Sequence, residues 1–265
     1  MLSQTEIQAI RDRRIIRANE LIQRFNSSFT AQQQKIILYV ISTINPYSDE
    51  FTEPEFYITD FCQVCGLARN GQSYGAIKKD LLTICSSKII DTYQYQGKDK
   101  EGSLSIFDNF ERDQETGVYT IYINPRMKPY LLQLHDHFTQ TILLNSLALR
   151  SKYALRLYDY ICSVQYDDRE PYIPRYTIDE MHTILGAENK YPVLKDFKLY
   201  VLYPAVREIN KYTNKTIAIN EIRRGRKITH IEIVITSKSP TDTLSAAAAA
   251  TTDLDSGKKG ANHAS

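Results

Sequence analysis

Tyr176-Thr177-Ile178-Asp179-Glu180-Met181, followed by Gly186, echoes Phe56-Tyr57-Ile58-Thr59-Asp60-Phe61, followed by Gly66, about 120 residues earlier. Each reads as a short β stretch feeding a helix, and the match extends outward. Upstream, a helical run at 34–41 answers one at 153–161; downstream, 77–82 answers 194–199. Each copy ends in two β-type stretches around a polar turn. In the second copy these are 216–220 and 229–235, separated by Arg223-Arg224-Gly225-Arg226. Ile231, Ile233 and Ile235 alternate with polar neighbours, which marks a half-buried strand, and Gly225 suits a hairpin turn. Helix, strand, helix, helix, hairpin is the order of a winged helix. The expected fold is therefore α+β, two tandem winged-helix domains at 1–148 and 149–237 joined by a helix. Residues 238–265 hold five alanines in a row and almost no large apolar side chains, so a disordered tail is expected there.

The chain has 265 residues, 42% of them hydrophobic, enough for one large or two modest cores. No apolar stretch is long enough to span a bilayer, and the opening residues Met1-Leu2-Ser3-Gln4-Thr5-Glu6 turn polar at once. Four cysteines without a paired framework suit a reducing bacterial cytoplasm, with no membrane partner. The formal net charge is only +2, but it is unevenly divided. Residues 1–150 carry 16 Lys and Arg against 17 Asp and Glu, 151–239 carry 15 against 11, and 240–265 carry 2 against 3. Between Lys190 and Lys227 ten cations face only Asp196, Glu208 and Glu221, a local excess of seven. That is the electrostatic footprint of a polyanion partner.

The second unit shows where that partner would bind. Leu194, Phe197, Val201, Leu202, Ala205 and Ile209 recur at helical spacing and should face the core, with a kink or restart at Pro204. The other face offers Lys195, Lys198, Arg207 and Lys211, with Lys190 and Tyr191 at the N-terminal end that enters a major groove in helix-turn-helix proteins. Arg223, Arg224, Arg226 and Lys227 converge on the hairpin tip, suited to phosphates or a minor groove. In the first unit the corresponding helix carries only Lys78 and Lys79, beside Asp80, and reads as nearly neutral.

Enzymatic readings find little support. Cys62-Gln63-Val64-Cys65 lacks a second ligand pair and sits in an apolar stretch, so buried core thiols are expected rather than a metal site. His135-Asp136-His137 lies in a segment that reads as a helix, which would point the two imidazoles apart, unlike the strand-borne pair of nicking enzymes. Neither a phosphate-binding P-loop nor a Gly-x-Ser-x-Gly elbow occurs. The tyrosines Tyr153, Tyr158, Tyr160 and Tyr166 read as helix packing. No catalytic residue, metal or cofactor is assigned.

Five segments resemble the replication initiators of iteron-bearing theta plasmids. These are Ala18-Asn19-Glu20-Leu21-Ile22, Phe29-Thr30-Ala31-Gln32-Gln33-Gln34-Lys35, Leu149-Arg150-Ser151-Lys152-Tyr153-Ala154-Leu155-Arg156-Leu157-Tyr158, Phe197-Lys198-Leu199-Tyr200-Val201-Leu202-Tyr203-Pro204-Ala205-Val206-Arg207-Glu208-Ile209-Asn210, and Gly225-Arg226-Lys227. The resemblance covers roughly residues 15–236. It implies a C-terminal domain that reads repeated origin sequences in double-stranded DNA, and an N-terminal domain that mediates homodimers and adds a DNA contact. It further implies a monomer that opens the origin, a dimer that represses its own gene, and recruitment of the host initiator and replicative helicase. A plain repressor on the same fold is the alternative reading, with a rolling-circle nicking enzyme behind it.

Overall fold

The computed structural model describes all residues except 25–28, 96–97, 166–169, 189 and 258–265, which leaves Tyr166 outside the described residues. The chain opens with α1 (Gln4–Arg11), β1 (Arg14–Ala18) and α2 (Asn19–Arg24). The first winged helix follows as α3 (Ala31–Ile41), β2 (Glu55–Phe56), α4 (Ile58–Val64) and α5 (Gly71–Ser86). An extra hairpin, β3 (Ile89–Tyr95) with β4 (Lys98–Leu104), precedes the sheet strands β5 (Phe107–Arg112) and β6 (Tyr119–Ile123). Beyond α6 (Lys128–Leu131), β7 (Phe138–Ile142) pairs antiparallel with β1, and the fully buried α7 (Leu143–Ala148) leads into the second unit. That unit comprises α8 (Lys152–Val164), β8 (Arg175–Thr177), α9 (Ile178–Leu185), α10 (Leu194–Phe197), α11 (Tyr203–Tyr212), β9 (Lys215–Arg224) and β10 (Lys227–Ser237). A last helix, α12, spans Pro240–Asp255.

The two units share local chemistry as well as order. Each winged helix has one reciprocal capping box, but on different helices: Thr30 with Gln33 opens α3, the first helix of its unit, and Thr177 with Glu180 opens α9, the second of its unit. Gly66 and Gly186 end α4 and α9 at φ +65° and +62°, a left-handed conformation that glycine adopts without steric cost. Each turn then closes with the same bond: Leu67 N donates to Cys62 O at 2.8 Å, and Ala187 N to His182 O at 2.9 Å. The sheets also match, running β2-β6-β5 and β8-β10-β9, so the short first strand pairs with the last in both.

Each unit has its own core centre, although the buried residues form one continuous cluster. In the first, Tyr39 packs edge-on against Phe56 and Phe61, with ring centroids 5.7 and 5.4 Å away. In the second, Phe197, Val201, Leu202, Ala205 and Ile209 meet Ile231, Ile233 and Ile235, all fully buried, while Leu194 is half-buried. The core face expected from helical spacing and strand alternation is the one observed. Between the units, Arg17 of β1 forms a bidentate buried pair with Asp159 of α8, at 2.9 and 2.7 Å. Arg156 of α8 also reaches back to the carbonyls of Ile22 and Gln23.

Two expectations need correction. The segment read as a tail from 238 is ordered through Asp255 as α12, while 258–265 lie outside the described residues. Alanine is the best helix former, and its small side chain lets this helix lie close against α7 and α11 without large apolar groups. Ala246, Ala250 and Leu254 are buried. The helix also spans both units: Asp253 accepts from Arg150 at 2.9 Å, and Asp255 pairs with the buried Arg11 at 2.9 Å. The His135-Asp136-His137 segment is not helical, since α6 stops at Leu131. Tertiary bonds replace helical ones there: Gln133 N donates to Pro46 O at 2.6 Å, and Asn19 N to His137 O at 2.8 Å.

Candidate nucleic-acid interface

The third helix of the second unit runs from Leu194 to Tyr212 in three parts. Pro204 has no amide to donate, and the turn before it, Lys198–Leu202, widens into π geometry before α11 restarts at Tyr203. Such a turn holds about one residue more than an α turn. Val201 and Leu202 are both buried, and Leu199 and Tyr200 both face solvent, 50% and 58% exposed. The solvent face reads Lys195, Leu199, Tyr200, Tyr203, Arg207 and Lys211. Asn210 fastens this helix to the hairpin by exchanging two bonds with the backbone of Ile217, at 2.8 and 2.7 Å.

The cations expected on this surface divide into two groups. Arg224, Arg226 and Lys227 stand exposed at the hairpin tip, where Arg224 pairs with Lys227 across the two-residue turn and Gly225 takes φ +63°. Among the described residues no carboxylate pairs with these three. Lys195 and Arg207 are likewise exposed and form no such pair among the described residues. Lys190 is exposed at the turn before the helix and adds its charge near Lys152. Tyr191 takes φ +56° and packs its ring against Tyr200, with centroids 5.9 Å apart.

Three others have their charge taken up within the protein. Glu221 of β9 accepts from Lys198, from Tyr203 Oη at 3.1 Å and from Arg223 at 3.1 Å. The Lys198 bond above all holds the Glu221 carboxyl below the usual carboxylate range. Lys198 is mostly buried by this contact, whereas Arg223 keeps 58% of its side chain exposed. Lys211 turns toward α12, donating to Tyr212 Oη at 2.9 Å and lying 3.9 Å from Asp253. In the first unit Asp80 lowers the net charge around Lys78 and Lys79 without a direct contact to either. Asp80 accepts from Gln32 and Gln33 of α3 at 2.6 and 2.8 Å, and both lysines face solvent on α5.

The sequence reading missed the apolar part of this surface. Val193, Leu199, Tyr200 and Tyr203 are 56%, 50%, 58% and 37% exposed. The signal lay in the same pattern: with Phe197, Val201, Leu202, Ala205 and Ile209 on the core face, helical spacing leaves Leu199, Tyr200 and Tyr203 on the other. Elsewhere, Cys62 and Cys65 are buried, and burial pushes their thiols up to about 11 and about 12. Among the described residues no cluster of three or more His, Cys, Asp or Glu side chains could hold a metal, and no helix is long and apolar enough to cross a membrane.

Fold and surface together define a tandem winged-helix protein whose second unit presents an exposed helix beside a basic hairpin. Residues 14–162 match the family described as "Initiator Replication protein, WH1", and 177–235 match "Initiator Rep protein, WH2". The chain belongs to the initiator replication protein family. A curated relative, the "Replication initiation protein" of Escherichia coli, is 25% identical over 239 residues, which span 87% of this chain and 67% of that protein. Among solved structures, the Pi initiator protein in complex with iteron DNA superposes with a TM-score of 0.70 at 20% identity, covering 86% of this chain and 99% of that one.

Proposed function

We propose that this protein initiates plasmid replication by binding repeated origin sequences in double-stranded DNA. What supports the reading most directly is the unpaired basic tip of Arg224, Arg226 and Lys227 beside the exposed α10–α11 helix, in a member of an initiator family. In this reading the second unit is the principal DNA reader, with the helix in the major groove and the hairpin on the adjacent backbone. Lys195, Arg207 and Lys190 flank the groove contact, and Arg223 joins the tip when it releases Glu221. The first unit supplies the homodimer contact and a weaker DNA contact through Lys78 and Lys79. The monomer opens the origin and recruits the host initiator and helicase, the dimer represses the chain's own gene, and the work proceeds in the cytoplasm without an enzymatic step.

The test is replication in trans. A plasmid carrying the DNA that flanks this gene should replicate when the protein is supplied from elsewhere. The protected region should comprise direct repeats of about two helical turns beside an A·T-rich stretch, a length two winged helices can span. Protection without replication would favour the repressor. A covalent protein–DNA adduct on supercoiled DNA would favour the nicking enzyme, and the absence of any selective footprint would exclude both DNA readings.

A further inference from the structure

The solvent face of α10–α11 is not simply basic. At its centre lie Leu199, Tyr200 and Tyr203, with Val193 at the N-terminal end, and the cations Lys195 and Arg207 stand on either side. Lys198, the cation nearest this centre in sequence, is drawn away by Glu221. An apolar strip of this kind, ringed by charge, is uncommon on a free surface and marks a contact site.

The strip is also held in place before any partner arrives. Tyr203 Oη is fixed by Glu221 at 3.1 Å, and the Tyr200 ring leans on Tyr191 at 5.9 Å with an interplanar angle of 30°. The π turn anchors Leu199 and Tyr200 from beneath, through the buried Val201 and Leu202. Side chains ordered in advance lose little freedom on binding.

The charges beside the strip fit a polyanion, and the neighbouring hairpin tip is basic throughout. Of the chemical groups that a DNA duplex presents in its major groove, the thymine C5 methyl is the apolar one. We propose that this protein reads its DNA site in large part through thymine methyl groups, with Leu199, Tyr200 and Tyr203 as the specificity-determining contacts. Lys195 and Arg207 then serve chiefly to set the helix in the groove. The inference rests on the reading of the second unit as a duplex-DNA binder and specifies what that reader recognises.

The experiment starts by enriching duplexes from a random-sequence pool with the full-length protein. The enriched duplex is then remade with deoxyuridine replacing thymidine one position at a time, which deletes single methyl groups and leaves base pairing intact. The wild-type protein should lose about fourfold in affinity for each contacted methyl, equivalent to ~0.8 kcal/mol. Leu199→Ala should bind the thymine duplex more weakly and show a thymine-to-uracil ratio near unity at the affected positions. Tyr203→Phe keeps the ring and should preserve the ratio. Equal wild-type affinity for both duplexes overturns the inference while leaving DNA binding intact. So does Leu199→Ala weakening both duplexes alike, or changing only the sedimentation of the free protein, which would assign the strip to a protein contact. Failure to enrich any sequence overturns the underlying reading instead.

Discussion

The two winged helices carry opposite charge on equivalent hairpins. The β5–β6 turn holds Glu111, Asp113 and Glu115 against a single Arg112, with Asp113 Oδ1 accepting from the amides of Glu115 and Thr116 at 2.9 and 2.7 Å. The β9–β10 turn holds Arg223, Arg224, Arg226 and Lys227, with Glu221 at its base. The third helices differ in kind too. The α5 helix is a continuous run that exposes Gly71, Gly75 and Ala76 at its N-terminal end and Leu82 further on, whereas α10–α11 is broken before Pro204 and groups Leu199, Tyr200 and Tyr203 on its solvent face. Glycine turns and strand order are nevertheless shared. The scaffold thus fixes where a helix and a hairpin stand together, and surface residues alone decide what each pair can bind.

The largest effect tests whether the units act independently. Arg17→Ala leaves Asp159 buried without its partner, and removing one member of such a pair costs about 3–5 kcal/mol. Because the pair joins β1 to α8, chemical denaturation should show that loss in a single transition reported by both units. Two separated transitions would break the comparison, making each winged helix an autonomous domain.

Charge reversal at the hairpins comes next. Arg224→Glu with Arg226→Glu should weaken DNA binding on the order of a hundredfold at moderate salt. Neutralising the same two residues to alanine should lower the salt slope by about 0.9 per lost phosphate contact. Making Glu111→Gln, Asp113→Asn and Glu115→Gln together should change affinity by no more than about twofold, since that tip repels a polyanion only weakly and at a distance. Equal responses at the two hairpins would place the first unit on DNA as a full partner.

The glycine turns look alike in sequence yet should respond unequally. Alanine at either Gly66 or Gly186 meets left-handed strain of about 1–2 kcal/mol. At Gly66 the added Cβ would also lie 1.9 Å from the Leu254 carbonyl oxygen. Gly66→Ala should therefore loosen α12, seen as faster amide exchange across 240–255, while Gly186→Ala leaves that region protected.

Patterns of short range made much of this legible. The alternation of Ile231, Ile233 and Ile235 placed the central strand, and helical spacing picked out Phe197 through Ile209, because burial follows periodicity directly. The paired glycines were visible because left-handed turns leave few alternatives. What escaped depends on contacts between distant segments. Capture of Lys198 by Glu221 requires a helix and a strand to meet in one register, and Asp80 turns to Gln32 and Gln33, which lie 48 and 47 residues away. The alanine helix is not legible in composition because its stability comes from close approach to α7 and α11.

The smallest expected effect sharpens the contrast at the base of the basic hairpin. Glu221 gathers Lys198, Tyr203 and Arg223, so its carboxylate is favoured in the folded protein and its pKa lies below the ordinary value. A carboxyl depressed in this way stabilises the fold fully above its unfolded pKa of about 4.3 and loses that contribution as pH falls toward the lower folded value. Glu221→Gln should thus remove a small part of the acid destabilisation below about pH 4 and cost roughly 0.2–1 kcal/mol at neutral pH, the range of partly exposed ion pairs. On DNA its effect should run the other way. Releasing Lys198 and Arg223 raises the positive charge on the interface, so non-specific affinity and the salt slope should both increase. Selectivity should fall, because the added cations contact phosphates of any sequence. An unchanged salt slope would mean that Glu221 is a structural tie and has no part in setting the charge of the surface.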